Sequence, residues 1–286
     1  MPPEFTDDQR LVVALASLGV EAERIPWDDE SVDWGAFDAV VIRSTWDYAL
    51  RRDEFVAWAD SVGPRLHNAP ALVRWNSDKR YLGDLAAAGI RVVDTTYLAP
   101  GEALPELAGE VVVKPTVSAG GRDSGRFSEA THDLALALIE RIHGSGRSAM
   151  IQPYQASVDT VGETAIVCLD GEASHVLRKA AVLRPDEVAP VREDGVGAAE
   201  VMYDPELVVA GEAGEEEFEF AAEVMRSVTE RFGYVPLYGR VDMVAAPDGA
   251  PTLMELEVIE PNLYLDQAPG AADRVARSIA ARAAAA

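Results

Sequence analysis

Residues 237–258 read LYGRVDMVAAPDGAPTLMELEV, two apolar-rich runs joined by Pro247-Asp248-Gly249, residues that turn a chain back on itself. Two hairpin registers are open, one pairing position 242 with 255 and the other pairing it with 254. A slip of one residue sends every side chain to the other face, so the buried face chooses. Placing Val241 and Met243 with Met254, Leu256 and Val258 selects the pairing of 242 with 255. The opposite face then carries Arg240 and Asp242 across from Glu257 and Glu255. Cross-strand neighbours stand ~5 Å apart, so these carboxylates repel unless a cation lies among them. An oxygen-only cluster of this density suits Mg²⁺, which takes one or two carboxylates and completes its shell with substrate phosphates. Asp242, Glu255 and Glu257 are therefore read as metal ligands, in preference to an exposed acidic strand face.

Upstream of the hairpin lie the counterparts such a metal needs. Of 25 basic residues only Lys79, Lys114 and Lys179 are lysine. Against chance usage stands the fitness of a compact ammonium, where a guanidinium is planar, for holding phosphate as a point charge. Lys114 ends the apolar run VVV, Lys179 ends SHVLRK, and Ser118-Ala119-Gly120-Gly121 offers backbone amides that can cradle a phosphate. Neither G-x-G-x-x-G after a first strand nor G-x-x-x-x-G-K-[ST] occurs, which argues against Rossmann and P-loop sites. A polyphosphate and Mg²⁺ are expected on a different nucleotide fold.

The whole-chain numbers narrow the classes. With 286 residues, 48% hydrophobic and 26% charged, the composition is that of a globular protein of two or three small domains. A net charge of -24 repels nucleic acid and anionic lipid, so neither is an expected partner. The single cysteine, Cys168, allows no internal disulfide and no multi-thiolate zinc site, as suits a reducing cytoplasm. No membrane span or signal peptide is legible, and a cytoplasmic location is expected.

The periodicity predicts a helix over 9–19, a short strand in EAERIPW, a strand in FDAVVIRSTWDY and a helix in DEFVAWADSVG. An open α/β layer normally begins with a strand, so its first strand is expected to be missing. A helix over 76–85, strands in IRVVDTTYL and GEVVVKPTV, a glycine-rich loop SAGGRDSGRF and a helix over 131–142 follow. AMIQPY and the two strands around Asp170-Gly171 are assigned to a second sheet. Residues 184–216 read as a mobile loop, and EEFEFAAEVMRSVTERFG and the segment from Ala271 as helices. The expected domains are 1–75, an N-terminal open α/β layer; 76–150, with the glycine loop; and 151–286, with the metal site.

The order of these pieces resembles the ATP-grasp superfamily of carboxylate ligases over nearly the whole chain: a helix lysine in WNSDKRYL, a strand lysine in VVVKP, SAGG, IQPY followed by GET, an Arg-Lys pair, and a C-terminal Asp and Glu on paired strands. The resemblance implies an α/β ATP-grasp fold, in which two α+β subdomains clamp ATP. It implies that Lys79 and Lys114 are nucleotide lysines, that Gln152, Pro153 and Tyr154 form the adenine hinge, that Glu163 contacts ribose or hinge, and that Lys179 contacts phosphate. The metal motif of that family is an Asp followed by Glu-x-Asn. Here Glu255-Leu256-Glu257 keeps the hairpin position while Glu260-Pro261-Asn262 keeps the Asn, so Glu260 and Asn262 stand as second candidates. Through RSTWDY, RWNSDKRYL, SAGGRDSGRF, SHVLRK and EVIEPNLYL the chain is similar to the subgroup that closes O-ureido-D-serine to D-cycloserine, and to glutathione-synthetase-like proteins.

The implied chemistry is ATP- and Mg²⁺-dependent conversion of an amino-acid carboxylate to an acyl phosphate, then attack by a nitrogen nucleophile. Arg122 and Arg240 are candidates for binding a carboxylate or the transferring phosphoryl group. Arg43, Ser44, Thr45, Trp46, Asp47 and Tyr48, at the polar end of a strand, are candidates for reading the substrate together with Asn262; for Trp46 and Asp47 packing and helix capping are equally open. The alternatives are an intermolecular carboxylate-amine ligase and a non-catalytic ATP-binding regulator. A small amino-acid-like substrate is the expected partner, and a homodimer is left open.

Overall fold

The computed structural model describes residues 6–190 and 198–285. The chain begins with α1 (Thr6–Ser17), then a two-residue strand β1 (Val40–Val41), α2 (Arg52–Val62) and β2 (Leu66–His67), which pairs in parallel with β1. EAERIPW forms no strand: Pro26 lacks an amide donor, β1 pairs only with β2, and Trp27 instead packs edge-on to Phe55. The helix expected over 76–85 is broken into α3 (Pro70–Asn76) and α4 (Tyr81–Ala87). Between them Asp78 accepts the amide of Arg80 through its side chain, which closes a turn, and the amide of Lys79 donates to Thr116 O. Lys79 is thus a turn lysine anchored beside the glycine loop.

Two five-stranded sheets follow. The first contains β3 (Thr96–Leu98), β4 (Val111–Pro115), β5 (Gly125–Phe127) and β6 (Ala149–Pro153), with α5 (His132–Gly144) packed on it. The second is built from β7 (Glu163–Leu169) and β8 (Glu172–Lys179), which follow the four-residue α6 (Ser157–Thr160). The strand β9 (Glu187–Val188) returns to pair with β5 in the first sheet, whose order is β3-β6-β4-β5-β9. Next come β10 (Val208–Ala210), α7 (Glu215–Phe232), β11 (Tyr238–Ala245), β12 (Pro251–Glu257) and α8 (Ala271–Ala283). The second sheet has the order β10-β8-β7-β11-β12. AMIQPY therefore belongs to the first sheet: β6 pairs with β3 and β4, contacts too distant in sequence for periodicity to reveal. The end of SAGGRDSGRF is strand β5, and the stretch 184–216 contributes β9 and β10; its residues 191–197 lie outside the described residues.

The hairpin register is the one selected above: Asp242 pairs with Glu255, Val241 with Leu256 and Arg240 with Glu257. Beyond Asp242 a β-bulge shifts the pairing, so Met243 faces Leu253. Leu253 is fully buried under α7, whereas Met254, expected in that core, turns to the opposite side and packs on Val93, Val158 and Val244. A bulge places two residues against one, which is how the alternation is broken here. Among the described residues no helix is long and apolar enough to cross a membrane.

Candidate active site

The register puts Asp242 beneath Glu255 and Glu257, and the cations that such crowding demands come from other elements. Both Arg240 Nε and Nη2 donate to Asp242 at 2.8 Å, and Lys179 Nζ from β8 donates to the same carboxylate at 2.8 Å. Burial alone would raise the Asp242 carboxyl, yet these two cations hold it down at about 2. Lys179 also reaches Glu163 at 2.9 Å, and the two carboxylates keep its ammonium charged despite burial. Arg240 donates further to Glu257 and, at 3.0 Å through Nη1, to Asn262 O. Of its five N–H groups, one Nη1–H is left for a ligand. Glu255 pairs with Lys79 Nζ at 3.2 Å, and that ammonium donates to Ser118 O at 2.8 Å.

Two groups stand outside this pairing. Lys114 has no ion pair among the described residues, and burial lowers its affinity for a proton, with Lys79 adding to the effect against the pull of Glu255. Glu260, 8% exposed, has none either; burial and then Glu257 push its carboxyl well above the usual range. Burial likewise pushes Glu257 up to about 7, with Asp242 and Glu255 adding to it against Arg240. The cluster thus carries more carboxyl groups than its cations fully satisfy, a charge balance with room for an added cation. The side chains of Glu255 and Glu257, 27% and 30% exposed, face the open space. Among the described residues no three His, Cys, Asp or Glu already converge with metal-ligand spacing.

These groups line one side of a cleft of about 240 Å³ between the two sheets. Lys79, Lys114, Ser118, Gly120, Gly121, Gln152, Pro153, Tyr154, Glu163 and Lys179, the residues singled out for the nucleotide, all border it, together with Arg240, Glu255, Glu257, Trp46 and Asn262. Gly120 has φ +64, and a Cβ there would lie 2.7 Å from the Ala198 Cβ, while the Ala199 amide donates to Gly120 O at 2.7 Å. Only glycine allows this contact. At the other end Gln152 donates to Thr95 Oγ1, and Tyr154 is fixed by donating its hydroxyl to Asp159 with Arg126 stacked 3.5 Å above its ring.

Half of RSTWDY turns elsewhere. Ser44 adopts φ +29, and the chain bends so that Arg43 Nε lies 3.5 Å from Asp8 while Ser44 Oγ donates to the same carboxylate. Asp47 accepts the indole N–H of Trp27. Arg43, Ser44, Thr45, Asp47 and Arg122 do not border the cleft; Trp46 and buried Tyr48, the other two residues of that segment, do. Tyr264 borders the cleft as well and was not singled out from the sequence, although the aromatic in EPNLYL was a usable signal. The loop carrying Asn262 and Tyr264 is pinned by Asp7 of α1, which accepts the amides of Leu263 and Leu265 at 3.1 and 2.7 Å.

Comparison with known proteins places this geometry. A family model described as D-cycloserine synthetase DcsG, N-terminal domain, matches residues 1–68. The chain is 37% identical over 299 residues to the cycloserine biosynthesis protein DcsG of Streptomyces lavendulae, covering 99% of this chain and 93% of that one. The crystal structure of D-cycloserine synthetase DcsG superposes with a TM-score of 0.85 at 36% identity, over 99% of this chain and 96% of that one. D-alanine–D-alanine ligase from Bacillus anthracis complexed with ATP shares the fold at a TM-score of 0.66 and 16% identity, over 99% and 92% of the two chains. The chain belongs to the DcsG family of ATP-grasp proteins, and it is an ATP-dependent carboxylate–amine ligase.

Proposed function

We propose that this ligase closes O-ureido-D-serine to D-cycloserine, with residues 1–75, 76–150 and 151–286 as its three lobes. The observation that carries this is the likeness to DcsG along the whole chain, joined to a cleft that the three lysines border together with Trp46 and Tyr48. ATP lies with its base at Gln152, Pro153 and Tyr154 and its phosphates against Lys79, Lys114, Lys179 and the glycine loop. Asp242, Glu255 and Glu257 are the residues that would hold Mg²⁺, which would supply positive charge beside the transferring phosphoryl group.

The substrate carboxylate attacks the γ-phosphorus, ADP leaves, and a mixed anhydride forms. The nitrogen attached to the substrate's side-chain oxygen then attacks the carbonyl carbon, and phosphate departs with one former carboxyl oxygen. The carbamoyl group on that nitrogen is released as carbon dioxide and ammonia, consuming one water. The protein's part is positioning and charge neutralisation, with Lys114 and the remaining Arg240 N–H free to meet the phosphoryl group. Phosphate release with O-ureido-D-serine as sole acceptor, with products followed by mass spectrometry, tests this. Release that requires an added amine contradicts cyclisation, and no release above background contradicts catalysis on this substrate.

A further inference from the structure

Every acidic side chain bordering the cleft beside the lysines has a cationic partner except one. Glu163 has Lys179, Glu255 has Lys79, and Glu257 has Arg240. Glu260 is more than nine-tenths buried, borders the cleft, and forms no ion pair among the described residues, its carboxyl being bonded to its own backbone amide alone. It is held in place between buried Ile259 and Pro261, so it has little freedom to reach solvent. A buried carboxyl left without a cationic partner is costly, and such a group facing a cleft is satisfied by what enters it.

The chemistry around Glu260 states what that is. Its neighbour Ile259 packs in one cluster with Tyr48, and Tyr48 and Trp46 border the cleft together with Glu260. Aromatic faces beside a carboxylate suit an organic ammonium, whereas Mg²⁺ retains water and collects several oxygens. The geometry points to Glu260 as the subsite for the α-ammonium of the substrate, the group that makes this ligase select an amino acid over a plain carboxylic acid. This rests on the amino-acid substrate proposed above. The cleft then offers one cation and one carboxyl outside its ion pairs, Lys114 for phosphate and Glu260 for the substrate ammonium.

The test is calorimetric binding to the full chain loaded with Mg²⁺ and a non-hydrolysable ATP analogue. O-ureido-D-serine is compared with its deaminated counterpart, 3-(ureidooxy)propanoate, and D-serine with 3-hydroxypropanoate. Wild type is expected to prefer the amine by about 10- to 100-fold, the range for one charged hydrogen bond. Glu260→Gln is expected to bind both members of a pair alike, at the deaminated compound's wild-type affinity, with a melting temperature no lower than wild type. Glu260→Asp, which keeps the charge, retains a reduced preference and serves should the Gln variant not fold. Preference that survives in Glu260→Gln overturns the proposal, as does a defect confined to a raised Mg²⁺ requirement for nucleotide binding, which would make Glu260 a metal ligand. A wild type that separates D-serine from its counterpart but ignores both ureido compounds refutes the substrate and keeps the subsite; one that separates neither pair overturns the subsite.

Discussion

Replacing Lys114 and Lys179 by methionine removes the same charge from two settings that the structure makes opposite. Lys179 Nζ lies 2.9 Å from Glu163 and 2.8 Å from Asp242, with all three side chains at most 11% exposed. Lys179→Met leaves two buried carboxylates with Arg240 as the cation bound to Asp242, and removing one partner of a buried pair costs about 3–5 kcal/mol. At about 2–4 °C per kcal/mol for a chain approaching this size, the apo protein should melt roughly 6–20 °C lower. Lys114 has no such partner, and burial already disfavours its charge, so Lys114→Met should melt no lower than wild type. Both variants should weaken ATP binding, since each removes a phosphate counter-charge. Scanning calorimetry of the apo forms, with titration of a non-hydrolysable ATP analogue, separates the roles. Equal destabilisation by the two substitutions would refute the division into a structural lysine and a waiting one.

Leu253→Ala should cost about 2–5 kcal/mol by chemical denaturation, whereas Met254→Ala should cost less and act mainly on ATP affinity, because the bulge buries Leu253 and turns Met254 to the cleft. Gly120→Ala forces a Cβ against Ala198 at positive φ, a backbone cost of ~1–2 kcal/mol, and should weaken nucleotide binding measured by titration. Burial depresses His175, whose Nε2 donates to Leu263 O, so its neutral form is favoured in the fold. Protonation then favours the unfolded chain, and the melting temperature should fall as pH drops below about 6.5. His175→Asn should flatten that slope in part, with His67, also depressed by burial, accounting for some of what remains.

What was legible in the sequence was local or rare. The hairpin register followed from a turn and from alternating apolar positions, and the three lysines stood out because the chain uses arginine elsewhere. The bulge was not legible, since Leu253, Met254 and Leu256 are all apolar and either of the first two could fill the core. Sheet membership of β6 depends on pairing with β3, some fifty residues away, which no local pattern carries. RSTWDY was only half readable as a substrate segment because the bend at Ser44 decides which side chains reach the cleft and which bind Asp8. Glu260 did carry a signal, a charge enclosed by Ile259 and Pro261, but its lack of a cationic partner is a property of the packed site alone.

The central claim is that a carboxylate oxygen of the substrate attacks ATP and leaves with phosphate. O-ureido-D-serine labelled with ¹⁸O in both carboxyl oxygens tests it directly, read by mass spectrometry of the released phosphate and of the ring product. One label in each molecule of phosphate, with the other in the carbonyl of D-cycloserine, is the predicted result. Unlabelled phosphate released at the rate of turnover would contradict activation through an acyl phosphate.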